Sequence, residues 1–230
     1  MSVSELELGD RGESGVPDRV GVLGGGRMGA GIAHAFLLAG AHVALVERND
    51  TEADAARERV LRAVDASISR GATGETRPEL EARLAVGADF GLFSDRELVV
   101  EAVPEVRALK VEALQKVEAE LPDDAALASN TSSISINDLA YELKRPARFL
   151  GLHFFNPVPA SNLVELVTGS ATSAELVADA QSWVSALGKT PITVSDAPDS
   201  PPPGSEWPSD SRPSACSKRE SRAPRISTLR

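Results

Sequence analysis

The chain has 230 residues with a net charge of −10; 42% are hydrophobic, and there is a single cysteine (Cys216) and three histidines (His34, His42 and His153). That balance supports a sizeable core, excludes a disulfide framework and a cysteine-based metal site, and offers no basic stripe to nucleic acid. No apolar run nears the ~20 residues of a spanning helix, and residues 1–18 have neither a basic nor an apolar signal region, so a soluble cytoplasmic protein with a flexible leader over 1–18 is expected.

Val20–Leu23 is a β-branched, apolar run suited to a buried parallel strand. Gly24, Gly26 and Gly29 follow in the spacing G-x-G-x-x-G, and Met28–Leu38 continues with helical periodicity. In this strand–turn–helix setting Gly24 permits the tight turn, Gly26 lets backbone approach a pyrophosphate, and Gly29 lets the helix pack against the strand. Arg27 and Met28 lie within the same cofactor loop, where free helix N–H groups and the positive dipole end meet phosphates. Gly40 closes the helix. A second strand, His42–Val46, leads to Glu47, about 20 residues beyond the glycines, where a ribose-binding acid is expected. A carboxylate there repels a 2′-phosphate and favours NAD over NADP; Arg48 beside it weakens that preference.

Asn49 or Asp50 caps a helix over Thr51–Ser69, and Pro78 opens a short one running through Leu84. This charged helical excursion is longer than a plain βαβ unit needs. Leu98–Val103 reads as a buried strand, with Pro104 and Glu105 opening a helix to Leu121. Ala125–Ala128 is a short strand leading into Ser129-Asn130-Thr131-Ser132-Ser133, and Ile136–Leu143 a short helix. Phe149–Phe155 and Leu163–Val167 are further strands, Ser173–Leu187 a helix ended by Gly188, and Ile192–Val194 the last strand. The alternation specifies a doubly wound, Rossmann-type α/β domain over residues 19–197, its sheet mostly parallel, with a helical insertion after strand two.

His153, in GLHFFNP, ends a strand, the address at which open α/β sheets gather catalytic groups. An imidazole can take a hydroxyl proton and return it. Glu165, twelve residues on in NLVELV, is the group best placed to hold its tautomer. Residue type alone favours a structural histidine; the setting between aromatics and Asn156-Pro157 only narrows that preference.

The motifs GGGRMGAGIA, EAVPE, ASNTSS, GLHFFNPVP, LVELVTG and LGKTP, in this order and spacing, closely resemble those of L-3-hydroxyacyl-CoA dehydrogenases, including bacterial 3-hydroxybutyryl-CoA dehydrogenases. The resemblance runs from Arg19 to Ala197. It implies reversible NAD-dependent oxidation of a (S)-3-hydroxyacyl-CoA thioester to the 3-ketoacyl-CoA, in fatty acid or butanoate metabolism. It makes His153 the general base, Glu165 its carboxylate partner, Ser132 a hydrogen-bond donor to the substrate oxygen and Asn156 a support of the site. Glu105 and Lys110 match positions lining the nicotinamide side. For Ser132 the alternative is a turn serine, and for Lys110 a solvated helix lysine. The excursion over Thr51–Leu84 corresponds to a helical hairpin near the CoA moiety; His34 and His42 match no family role. Two rival functions stay open: an NAD-binding remnant without turnover, and a sister dehydrogenase acting on a non-CoA hydroxy acid.

From Pro198 the composition changes, with seven prolines and eight serines up to Arg230 and no periodic apolar pattern. The family continues here with a helical C-terminal domain that supplies part of the acyl-CoA cleft and the homodimer interface. Read one frame away, TC-type codons at Ser211, Ser214, Ser217 and Ser221 place apolar residues at steps of three and four, a helical spacing. The expectation is a disordered, out-of-frame tail over 198–230, with a genuine short paralogue as the alternative. The homodimer of the full-length family is not expected of this form.

Overall fold

The computed structural model describes residues 15–196. Eight strands form one sheet: β1 (Arg19–Leu23), β2 (His42–Val46), β3 (Leu84–Gly87), β4 (Leu98–Glu101), β5 (Ala126–Ser129), β6 (Phe149–Phe154), β7 (Leu163–Thr168) and β8 (Thr190–Ser195). Their spatial order is β3-β2-β1-β4-β5-β6-β7-β8. Neighbours run parallel except β6 and β7, which are antiparallel. Helices α1 (Arg27–Leu38), α2 (Asp50–Ser69), α3 (Arg77–Ala82), α4 (Arg107–Glu120), α5 (Ile136–Ala140) and α6 (Ala174–Ala186) provide the crossovers.

The strands alternate between two cores, as a sheet covered on both faces requires. Val20, Val22, Val43, Leu45, Leu98 and Val100 pack with Ile32, Phe36, Val60 and Leu176 from α1, α2 and α6. Val46, Val99 and Leu127 face the other way, onto Leu114, Val117 and Leu139 from α4 and α5. Helix α1 ends in a Schellman arrangement: the Gly40 amide donates to Leu37 O and the Ala41 amide to Phe36 O, with Gly40 at φ +98°. Asn49 caps α2 by accepting from the Glu52 amide at 2.9 Å.

The last strand, read as Ile192–Val194, extends from Thr190 to Ser195, and four further boundaries depart from the sequence reading. The helix opened by Pro78 ends at Ala82, and Leu84 starts a strand, β3, parallel to β2 at the sheet edge. Strand β4 stops at Glu101, and α4 begins at Arg107, so Glu105 belongs to the connecting loop. The helix placed over Ile136–Leu143 stops at Ala140. The flexible leader does not reach Asp18: Val16 is buried in the core, and Asp18 O accepts from the His42 amide at 2.7 Å. The rest of that leader and the tail over 198–230 lie outside the described residues.

Candidate dinucleotide and active site

The chain reverses direction across the sheet between β1 and β4, and the glycine loop leaves β1 at that point. Gly24 sits at φ +92°, a region closed to most side chains, and its amide donates to Val46 O at 2.8 Å. A Cβ on Gly29 would lie 1.7 Å from Gly24 O and 3.3 Å from a Val22 methyl, so the helix start is pressed onto both loop and strand. A Cβ on Gly26 would meet nothing within 4 Å. Gly26 is also the N-cap of α1, and no side chain caps that end. An open backbone face beside uncapped helix amides is the donor arrangement a pyrophosphate takes. Glu47 Oε1 accepts from the Gly25 amide at 2.7 Å, which holds the carboxylate at the loop. The Arg48 guanidinium is turned to Glu52, 2.6 Å away. These residues fit a dinucleotide with free ribose hydroxyls. Arg27 is exposed, whereas Met28 packs on the core.

Two features of this loop were not read from the sequence. Gly25 approaches α2 so closely that a Cβ would stand 2.3 Å from Ala56 Cβ. Arg59, one turn further along α2, donates to Gly25 O at 2.9 Å. The glycine spacing gives no sign of either, because both contacts come from another helix.

On the other side of the switch point lies a chain of charges. Glu101 is fully buried, and Lys110 is 1% exposed with its Nζ 2.8 Å from Glu101 Oε1. Lys110 is therefore neither a solvated helix lysine nor open to a ligand. It reaches the surface only through Glu105, whose Oε2 is 3.3 Å from Nζ. Glu105 Oε1 accepts from the Thr131 hydroxyl at 2.6 Å, from the amides of Ser132 and Ser133 at 2.9 and 3.1 Å, and from the Ser133 hydroxyl at 3.0 Å. Partial burial pushes the Glu105 carboxyl up. The Thr131 hydroxyl, the Ser132 amide, the Lys110 ammonium and Ser133 outweigh it and bring it down to about 2.

His153 and Glu165 are direct cross-strand partners of β6 and β7, so their side chains leave the same face. Nδ1 lies 2.8 Å from Glu165 Oε2, and the ring rests on Phe155 with centroids 4.5 Å apart. Against an ionised carboxylate Nδ1 carries the hydrogen, which leaves Nε2 as the acceptor of a neutral ring. Ser132 bonds to Glu105 and not to His153. The two halves are joined by Asn130, whose Oδ1 accepts from the Phe154 amide at 2.8 Å. Asn156 is exposed, precedes Pro157 through a cis peptide, and makes no hydrogen bond with the described residues. Lys189 pins the loop that follows by donating to Val158 O and Ser161 O at 2.7 and 2.6 Å. A cleft of about 400 Å³ opens between this loop and α1 and α2, lined by His34, Ala63, Ala66, Arg70, Pro157 and Pro159 among others.

The family model described as 3-hydroxyacyl-CoA dehydrogenase, NAD binding domain, matches residues 19–197. The chain belongs to that family. A curated relative, 3-hydroxybutyryl-CoA dehydrogenase of Mycobacterium tuberculosis, is 41% identical over 181 residues, which cover 77% of this chain and 63% of the relative. The crystal structure of M. tuberculosis FadB2 superposes with a TM-score of 0.75 at 40% identity, over 79% of this chain and 65% of that one. The (S)-3-hydroxybutyryl-CoA dehydrogenase PaaH1 of Ralstonia eutropha gives the same TM-score at 36% identity, over 79% of this chain and 65% of its own. The chain thus spans less than two thirds of these relatives. As a member of the dehydrogenase family it carries the NAD-binding domain, and NAD is its cofactor. Within this 3-hydroxyacyl-CoA dehydrogenase domain, Glu101, Arg59, Arg70 and Lys189 make contacts around the candidate site to which the sequence reading gave no role of their own, although Glu101 and Lys189 lie within the motifs EAVPE and LGKTP. Arg59, Arg70 and Lys189 are scattered over helices and loops, and Glu101 reads as an ordinary residue of an apolar strand.

Proposed function

We propose that this chain catalyses the reversible NAD-dependent oxidation of a (S)-3-hydroxyacyl-CoA to the 3-ketoacyl-CoA. The observation that carries the reading is the His153–Glu165 pair at 2.8 Å, at one end of a sheet whose switch point holds the dinucleotide loop. Bound NAD supplies the hydride acceptor for C3 of the substrate. His153 Nε2 takes the proton of the 3-hydroxyl as that hydride leaves, and returns it in the reverse direction. Glu165 holds the tautomer that keeps Nε2 available and offsets the positive charge of the ring once it is protonated. Ser132 donates its hydroxyl to the substrate oxygen, and Asn156, unpaired within the domain, supports the same oxygen from the opposite loop. Glu47 takes the adenosine ribose hydroxyls, and the loop over Gly24, Gly26, Arg27, Met28 and Gly29 cradles the pyrophosphate. Glu105 borders the nicotinamide side, with Lys110 acting through it. The cleft between α2 and the Pro157–Ala160 loop receives the CoA portion, with Arg70 as a cation at its rim.

A sister activity on a free hydroxy acid would use the same His–Glu pair. Consumption of NADH by the 230-residue chain, with acetoacetyl-CoA and with acetoacetate at equal concentration, separates the two. The proposal expects turnover of the thioester in clear excess over the acid. Equal rates, or a preference for the acid, would overturn the CoA assignment. Binding of NADH without turnover of either substrate would mean that residues 19–197 bind the cofactor but do not complete the active site.

A further inference from the structure

Glu101 has no part in the reaction above, yet it occupies the middle of the sheet at the switch point. It pairs in register with Leu23 of β1 on one side and Ser129 of β5 on the other. We infer that Glu101 is a positioning residue: by holding Lys110 it fixes Glu105, and by fixing Glu105 it sets the turn that carries Ser132. The inference rests on the proposed role of Ser132.

An ammonium has three N–H donors. Those of Lys110 have three destinations: Glu101 at 2.8 and 3.1 Å, Val103 O at 3.2 Å, and Glu105 Oε2 at 3.3 Å. Glu101 cannot drift, because its oxygens also accept from the Val103 amide and the Ser129 hydroxyl, each at 2.6 Å. The ammonium is thus fixed from below, and Glu105 is the one partner that reaches the surface; its side chain is 36% exposed. Everything Glu105 touches on its other oxygen lies in the Thr131–Ser133 turn. A clamp between β4 and α4 alone would be served as well by two apolar side chains, since a buried ion pair loses most of its attraction to desolvation. What the ionic version adds is a directed positive charge beneath a carboxylate that organises a turn.

The double variant Glu101→Gln/Lys110→Met removes both charges together and leaves no uncompensated one. The glutamine can still accept from the Val103 amide and donate to the Ser129 hydroxyl. In the full chain, hydrogen exchange at the Ser132 and Ser133 amides is read by NMR against amides of β1 and β2. The expected result is exchange accelerated by about tenfold or more at Ser132 and Ser133, with the strand amides unchanged, as for a local opening. The same two amides should also lose their shifts at a higher pH than in the parent chain, because Glu105 has lost a charge that favours its ionised form. A folded double variant with unaltered exchange and unaltered acid titration at Ser132 and Ser133 would overturn the inference, leaving Glu101 as a clamp. If the double variant does not fold, Glu101→Asp decides: it keeps the charge but draws the carboxylate back by one methylene. It should raise exchange at the same two amides, and no change there would equally overturn the proposal. In turnover, the double variant should raise KM for acetoacetyl-CoA more than it lowers kcat. A parent chain without turnover would remove the proposed function and leave the exchange test standing.

Discussion

Glu105 ties the largest number of site groups together at the residue scale, and its ionisation should be visible in solution. Its carboxyl is held down at about 2 in the folded chain, below its ordinary value of 4.5. A depressed carboxyl contributes stability that is present above the ordinary value and lost as pH falls through the folded one. The Ser132 and Ser133 amide resonances should therefore hold steady down to about pH 4.5 and move only as the pH approaches about 2. Glu105→Gln should abolish that acid transition. At the pair opposite, Glu165→Gln replaces an obligate acceptor by a group that can donate, so His153 is free to adopt the wrong tautomer. Its kcat in acetoacetyl-CoA reduction should fall by about 10²-fold or more, with NADH affinity within about twofold, since the proton transfer and not cofactor binding is touched. Fluorescence titration of NADH alongside steady-state rates checks both halves.

Between elements, the close contacts are those of the glycine loop with β1 and α2. Gly29→Ala puts a methyl 1.7 Å from the backbone oxygen of Gly24, which cannot swing aside as the end of a flexible side chain could. A loss of about 1–3 kcal/mol is expected, together with weakened NADH binding, read by thermal melts with and without cofactor. Helices α1 and α2 meet at His34, whose Nε2 lies 3.0 Å from Ser67 Oγ. Burial, and after it the Arg70 guanidinium, push this imidazole below its usual 6.5. A buried neutral histidine takes up fewer protons in the folded state than in the unfolded one, so stability is full above that value and declines below it. The Tm should drop between pH 7 and pH 5, and His34→Gln should flatten that slope. Some element boundaries were legible and others were not, for physical reasons. The glycine loop, α1 and β2 carry turn chemistry, periodicity and a C′ glycine within one short stretch. Strand β3 is four residues long and follows α3 after Arg83 alone, so Leu84 reads as a last helical turn. His153 and Glu165 could be read as neighbours because β6 and β7 are consecutive strands, and they meet in register across that pair. Glu101 and Lys110 are joined around a loop whose course no sequence pattern records.

For the whole molecule, the family's NAD-binding domain was legible because its motifs punctuate nearly every crossover from Arg19 to Ala197. What stayed hidden was the connection between motifs: EAVPE to ASNTSS through Glu105, and ASNTSS to HFFNP through Asn130. NADH should stabilise the whole chain by mass action, by about 2.7 kcal/mol at 100 times its Kd. For a chain of this size that is a rise in Tm of roughly 5–10 °C, and NADPH should give much less if, as proposed, the Glu47 carboxylate meets the ribose and repels a 2′-phosphate. The most direct test of the account is the rate of NADH oxidation with acetoacetyl-CoA for the 230-residue chain beside its His153→Gln variant. His153 as the general base predicts turnover by the parent chain and a fall of about 10²- to 10⁴-fold in kcat for the variant, with NADH still bound. A variant as fast as the parent would contradict it, because some other group would then be moving the proton.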